Sequence, residues 1–182
     1  MDNQIFHKVS WKDYQTGCLN LAKKIRNLKI DRIIAISRGG LVASRILSDL
    51  LSTAISHLTI QSYKDLKQQK HTTITEVPTA NFKNQTLLIV DEIADSGKTF
   101  KRAIRYLKNL SPKKIYTLAL YVKSHTKPLP DFWSKRVDAW IIFPYEIQET
   151  YLAFMKLFKS PAEAKKKMLT VGFERWEIDL AA

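Results

Sequence analysis

Residues 87 to 99 constrain this chain more than any other stretch: Leu87-Leu88-Ile89-Val90-Asp91-Glu92-Ile93-Ala94-Asp95-Ser96-Gly97-Lys98-Thr99. A short apolar run of this kind fits a strand buried on both faces, as in a parallel sheet. It ends in two acids, and a third follows before Ser-Gly-Lys-Thr opens a helical pattern from Lys98 to Leu110. The loop is therefore expected over Asp91 to Gly97. The start of a helix presents N–H groups and a partial positive charge. With the hydroxyls of Ser96 and Thr99, such a turn can cradle a phosphate monoester. The adjacent acids can bind sugar hydroxyls or a divalent cation. Capping of the helix by Asp95 or Ser96 is the plain structural alternative. It does not account for three acids crowded at one strand end, where like charges cost free energy unless something neutralises them.

The rest of the chain alternates strand and helix. Trp11, Tyr14, Cys18, Leu21, Ile25 and Leu28 recur at steps of three and four, so a helix is predicted over 11–28, with Ser10 and Asp13 as a capping box. Arg32 to Ile36 reads as a buried strand stopped by Gly39-Gly40, and a second helical pattern follows through Leu41, Ile46, Leu47, Leu50 and Leu51. Strands are expected at Leu58 to Tyr63, Ile115 to Val122 and Val137 to Phe143. Lys64 to Asn81 is polar with little periodicity, a candidate mobile loop or hairpin. A helical tail follows Tyr145, with Tyr151, Leu152, Met155 and Phe158 at helical spacing. The fold class is α/β, a mostly parallel twisted sheet flanked by helices. Two domains are expected: residues 1–148, and a helical C-terminal extension over 149–182. In such sheets the ligand sits at the carboxyl ends of the strands. A second candidate loop lies there, Ser37-Arg38-Gly39-Gly40: two glycines allow close approach, and Arg38 offers a forked cation for a phosphate or pyrophosphate. A tight turn explains the glycines equally well.

Composition narrows the class. With 182 residues, 45% hydrophobic and 26% charged, the chain has the profile of an ordered globular protein. The single Cys18 excludes an internal disulfide and a multi-cysteine zinc site, and a reducing, cytoplasmic location is expected. The opening residues hold no signal-like apolar core, and no apolar run reaches membrane-spanning length. His7, His57, His71 and His125 show no metal-ligand spacing and are expected to be surface or structural residues. The formal net charge of +13, from 30 Lys plus Arg against 17 Asp plus Glu, implies an anionic partner.

One rival is an ATPase or GTPase, since Gly97-Lys98-Thr99 resembles the end of a phosphate-binding P-loop. That loop needs a glycine five residues before its Gly-Lys, and Glu92 stands there. Instead, positions 87 to 99 resemble the fingerprint of the type I phosphoribosyltransferases: apolar strand, two acids, two variable residues, Asp, Ser or Thr, Gly, any residue, Thr. Ile36 to Val42 is similar to that family's pyrophosphate loop, and Ser62-Tyr63 to the start of its flexible catalytic loop. Val122-Lys123 and Trp140-Ile141-Ile142-Phe143-Pro144-Tyr145-Glu146 resemble the base-recognition elements of the xanthine-guanine branch and its archaeal relatives. Tyr145 stands where close relatives carry Trp, and Asp-Glu where Asp-Asp is usual. The resemblance covers roughly residues 5 to 147.

The resemblance implies transfer of a phosphoribosyl group from PRPP to a 6-oxopurine (xanthine, guanine or hypoxanthine), with release of pyrophosphate, in purine salvage. Residues 95 to 99 (Asp95, Ser96, Gly97, Lys98 and Thr99) would hold the 5′-phosphate, and Asp91 and Glu92 the ribose hydroxyls. Glu92 would help hold Mg²⁺. Arg38 and Gly39 would bind pyrophosphate. Asp95 would accept or orient the purine proton, and a loop over about Tyr63 to Pro78 would exclude water, with Lys64, Lys67 and Lys70 as further candidates for pyrophosphate. Lys123, a donor only, would select a 6-oxo group over adenine's amino group. Trp140 would stack on the base, beside Ile141. Family members are commonly dimers or tetramers, so a homo-oligomer is expected. The alternative function is a PRPP-sensing, nucleic-acid-binding regulator on the same fold, motivated by ten Lys or Arg against the one acid Asp131 in residues 101–136. The absence of a separate helix-turn-helix segment argues against that partner.

Overall fold

The computed structural model describes residues 4–64 and 67–182, and side chains outside 62–72. The chain divides into two compact units, one of Tyr14–Val137 and one of Met1–Asp13 with Asp138–Ala182. The expected division at 148 falls inside the second of these.

The larger unit is built on a six-stranded sheet. Its strands are β2 (Arg32–Ser37), β3 (Ile55–Lys64), β4 (Lys67–Glu76), β5 (Thr86–Ala94), β6 (Lys114–Val122) and β7 (Phe132–Arg136), in the order β4-β3-β2-β5-β6-β7. All neighbours are parallel except β3 with β4. Helices α2 (Gly40–Leu51) and α3 (Lys98–Lys108) make the crossovers. Alternation along the strands covers both faces. Ile34, Ile36, Leu58, Leu87 and Ile89 pack with Phe100, Ala103 and Leu107 of α3, while Ile33, Ala35, Leu88 and Val90 are buried too. The connection after β2 runs to β3 on one side, and that after β5 to β6 on the other. The carboxyl ends of β2 and β5 therefore form the topological switch point, where an open parallel sheet has its crevice.

The strands differ from expectation in two places. β5 does not stop at Val90: its ladder with β6 continues through Asp91↔Ala119 and Ile93↔Tyr121 to Ala94↔Val122. The two acids thus lie in a strand and not in a loop. The strand expected over 137–143 is shorter, β8 (Trp140–Ile142) alone, and a strand not expected, β7, precedes it. β7 pairs with β6, and β8 pairs with β1 (Phe6–Lys8) in the other unit. Of the loop or hairpin expected over Lys64 to Asn81, the hairpin is found: β4 pairs antiparallel with β3. Asp65 and Leu66 lie outside the described residues, as do the side chains of Lys64, Lys67 and Lys70.

The smaller unit joins β1 and β8 with α4 (Ile147–Phe158), α5 (Pro161–Thr170) and α6 (Arg175–Ala181). Its core is Ile142, Tyr151, Phe154, Ala164, Met168, Phe173 and Ile178. The apolar stripe expected on the tail is turned by one position. Phe154 is buried with Tyr151, whereas Leu152 and Phe158 are exposed, because the helix packs on β1 and β8, with Phe6 of β1 meeting the Phe154 ring edge-on at 5.2 Å. Helix α1 (Trp11–Ile25) ends three residues short of the predicted Leu28. Its start carries the Ser10 cap of the expected box: the Asp13 N–H donates to Ser10 Oγ at 3.0 Å, and Ser10 Oγ donates to Asp13 Oδ2 at 2.7 Å.

Candidate active site

The two loops singled out from the sequence meet at the switch point. Gly40 is required by close approach: a Cβ there would stand 3.0 Å from the Val90 carbonyl carbon and 3.1 Å from Asp91 Cα. No side chain fits between the start of α2 and β5. At Gly39 a Cβ would run into the Glu92 side chain, 2.7 Å from its carboxyl carbon. The carboxylate of Glu92 therefore lies against the loop that carries Arg38, whose side chain is exposed. The Ser37–Arg38 peptide is cis.

Asp91 and Glu92 follow one another in β5 and so point to opposite faces. Asp91 is 8% exposed, and the Glu92 N–H donates to its Oδ1 at 2.9 Å. Burial pushes its carboxyl up to about 7, against the opposing pull of that hydrogen bond. Asp91 is thus held as an acid that changes charge near neutrality.

Beyond β5 the chain turns through Asp95 and Ser96 into Gly97, which has φ +79°. Gly97 is the N-cap residue of α3, so no side chain caps the helix from that position. The capping by Asp95 or Ser96 considered from the sequence gives way to a glycine start. A Cβ on Gly97 would also stand 2.8 Å from the Lys127 carbonyl oxygen. Two constraints, backbone sign and close approach, therefore demand glycine at one position. Ser96 and Thr99 are half-buried and Lys98 is exposed.

Lys123 follows β6 directly and joins the same junction through its backbone. Its N–H donates toward Ala94 O at 3.2 Å and to Thr126 Oγ1 at 2.9 Å. The Thr126 hydroxyl, 3% exposed, lies 2.6 Å from both Ala94 O and Asp95 O. One hydroxyl proton is shared by the two carbonyls while the oxygen accepts from Lys123. The 123–126 turn is thereby fastened to the residues that carry Asp95. On that turn His125 Nε2 sits 2.6 Å from Asp95 Oδ1. Neither Thr126 nor His125 was read as functional from the sequence. Their nearness to Lys123 is the only signal, and no spacing rule marks it.

The remaining candidates, Trp140 and Ile141, lie on β8 in the other unit, opposite Phe6 and His7 of β1. Trp140 is half-buried and packs against that unit's core, and Ile141 is 6% exposed. Among the described residues, no group of three His, Cys, Asp or Glu could enclose a metal ion. No helix of the described residues is long and apolar enough to cross a membrane.

The parallel-sheet switch point thus brings together two glycine-started helices, a buried acid and a carboxylate against the glycine loop. Residues 10–153 match the phosphoribosyl transferase domain. The xanthine-guanine phosphoribosyltransferase of Idiomarina loihiensis is 29% identical over 149 residues, covering 79% of this chain and 89% of the relative. A solved purine phosphoribosyltransferase from Pyrococcus horikoshii superposes with a TM-score of 0.71 at 30% identity, covering 77% of this chain and 93% of that one. The xanthine-guanine-hypoxanthine phosphoribosyltransferase of Helicobacter pylori gives a TM-score of 0.69 at 25% identity, covering 81% and 97%. Neither the matched domain nor these relatives lend support to a nucleic-acid-binding regulator. The chain belongs to the phosphoribosyltransferase family, in its xanthine-guanine branch, and is a PRPP-dependent glycosyltransferase.

Proposed function

We propose that the protein transfers the phosphoribosyl group of PRPP to a 6-oxopurine, xanthine, guanine or hypoxanthine, and releases pyrophosphate. The observation that carries this reading is the junction of β5 and β6, where Thr126 ties Lys123 to the backbone of Asp95. A donor-only ammonium and a proton-accepting carboxylate then work on one ring. Lys123 donates to the 6-oxo group, and adenine, with an amino group there, leaves donors facing donors. Asp95 takes or orients the proton that the ring nitrogen gives up as it attacks C1′.

Breaking the C1′–O bond leaves its electron pair on pyrophosphate and positive charge on the ribose. Arg38 and the backbone at Gly39 face the leaving group, and the N–H groups of residues 96–99 hold the 5′-phosphate. Glu92, on the face that meets Gly39, holds the ribose hydroxyls, and Asp91, buried on the opposite face of β5, acts with it at the strand end. The donor set fits Mg²⁺, which is usually held by one or two carboxylates together with substrate phosphates and not by a full protein cage. Glu92 is the residue that would hold it, and the ion would neutralise charge on the pyrophosphate. The protein is expected to work in the cytoplasm as a homodimer or homotetramer. Support for assembly comes from the tail helices, which expose Leu152, Trp176 and Leu180.

The test is a panel of bases with PRPP and Mg²⁺, read as pyrophosphate release. Turnover is expected with at least one of guanine, xanthine and hypoxanthine, and not with adenine or orotate. Silence on all three 6-oxopurines, or turnover of adenine alone, would refute the reading.

A further inference from the structure

We propose that His125 is a positioning residue for Asp95. The inference rests on the reading of Asp95 as the group that meets the purine proton. The distance between His125 Nε2 and Asp95 Oδ1 is 2.6 Å, a short, charge-assisted geometry. An ionised carboxylate only accepts, so Nε2 carries the proton of this bond. A carboxylate held at one oxygen no longer turns freely about its Cβ–Cγ bond, and its second oxygen is aimed in a fixed direction.

The backbone on both sides of the pair is fixed as well. Thr126, the next residue, bonds to Ala94 O and Asp95 O and accepts from the Lys123 N–H. The turn is closed by the Thr126 N–H donating to Lys123 O at 3.2 Å. His125 therefore reaches Asp95 from a turn locked to the segment that carries Asp95. A surface ion pair without such support contributes little to stability. The His125 side chain is 63% exposed and that of Asp95 26%. The value of the pair accordingly lies in orientation, and removing the imidazole leaves the fold intact.

The experiment joins kinetics to a spectroscopic readout. His125→Ala is expected to lower kcat about tenfold, part of what general-base catalysis supplies, with KM for PRPP within about twofold. His125→Gln, whose amide can donate at similar reach, is expected to restore most of the loss. In an Asp95→Asn background, His125→Ala should change kcat by less than about twofold, because two residues acting through one bond are not additive. Unchanged turnover in His125→Ala, or a full tenfold loss persisting beside Asp95→Asn, would overturn the proposal. The imidazole nitrogen resonances of His125 decide the pair without any turnover. A protonated Nε2 that shifts on Asp95→Asn supports it, and a resonance indifferent to that substitution refutes it. A protein inactive on every base, with the shift present, would refute the assigned reaction and leave the pair standing.

Discussion

Among the described residues, helices begin in two ways. α1, α4, α5 and α6 each carry an acid in the first turn: Asp13, Glu149, Glu163 and Glu177. α2 and α3 carry none, and each starts from a glycine with no side-chain cap. An acid near a helix start answers the dipole from within the chain. At α2 and α3 no acid stands within the first turn, the nearest being Glu92 against Gly39 and Asp95 before Gly97, and these are the two helices that start at the carboxyl ends of β2 and β5. On the proposed function, the pyrophosphate and the 5′-phosphate supply the negative charge. An acid in either first turn would repel the substrate that the turn is built to hold. On that reading the difference separates helices that stabilise the fold from helices proposed to bind.

The largest effect is expected where this distinction is sharpest. Gly97→Ala places a Cβ at φ +79° and 2.8 Å from the Lys127 carbonyl oxygen. The backbone strain alone costs about 1–2 kcal/mol. Displaced N–H donors should lower kcat/KM for PRPP about a hundredfold, the scale of losing one aimed donor. Steady-state kinetics and a melting curve check both. A stable variant with full activity would break the comparison, since α3 would then need neither its glycine nor its exposed start.

Next comes the fastening between the binding helix and the base-facing turn. Thr126→Val keeps the shape but removes the hydroxyl from Ala94 O, Asp95 O and the Lys123 N–H. Leaving these buried groups unpaired costs about 1–3 kcal/mol, read as a shift in the denaturant midpoint. Turnover should fall with it, whereas Thr126→Ser should keep both. Equal stability of Thr126→Val and the parent would show that the junction is held by packing alone.

A smaller effect is expected at a helix of the other kind. Ser10→Ala removes the cap of α1, in which Asp13 N–H donates to Ser10 Oγ at 3.0 Å. The loss should be about 1 kcal/mol in chemical denaturation, with kcat and KM for PRPP unchanged. A fall in kcat/KM comparable to that of Gly97→Ala would erase the distinction between the two kinds of start.

What the sequence made legible follows the same division. Residues 87–99 could be read because each position has a separate duty that local rules describe: apolar run, acids, glycine, hydroxyls. Gly40 is legible as a turn or ligand-approach glycine, but not as the close packing of α2 on the β5 backbone that requires it. The extension of β5 to Ala94 was not legible, because two adjacent acids read as a loop and only the ladder with β6 carries them into the strand. β7 escaped notice because Phe132–Arg136 is an edge strand with three exposed polar residues and no apolar run. Val137 was assigned to a strand with Trp140 on apolar content alone, although their partners are different strands. Thr126 and His125 stayed hidden for another reason. Their bonds cross from one strand end to another, and single-sequence periodicity holds no trace of such contacts.

The smallest effect concerns a group that should do nothing. Cys18 lies on the buried face of α1, and burial pushes its thiol up to about 12. The sign is that of a group whose protonated form the fold favours. Its contribution to stability is present below the unfolded value and is lost only as pH rises toward 12. At pH 8 the native thiol therefore exposes almost no thiolate, and its reaction with an aromatic disulfide reagent should be about a thousandfold slower than that of a free cysteine. Denaturant should release one equivalent of reactive thiol. The measurement bears on the comparison because a capped, acid-started helix is assigned here to the scaffold alone. Rapid labelling of Cys18 in the native protein, unaccompanied by unfolding, would mean that the buried face of α1 opens on the timescale of the reagent. Helices of the first kind would then be as mobile as a binding element, and a capped start would no longer mark a fixed one.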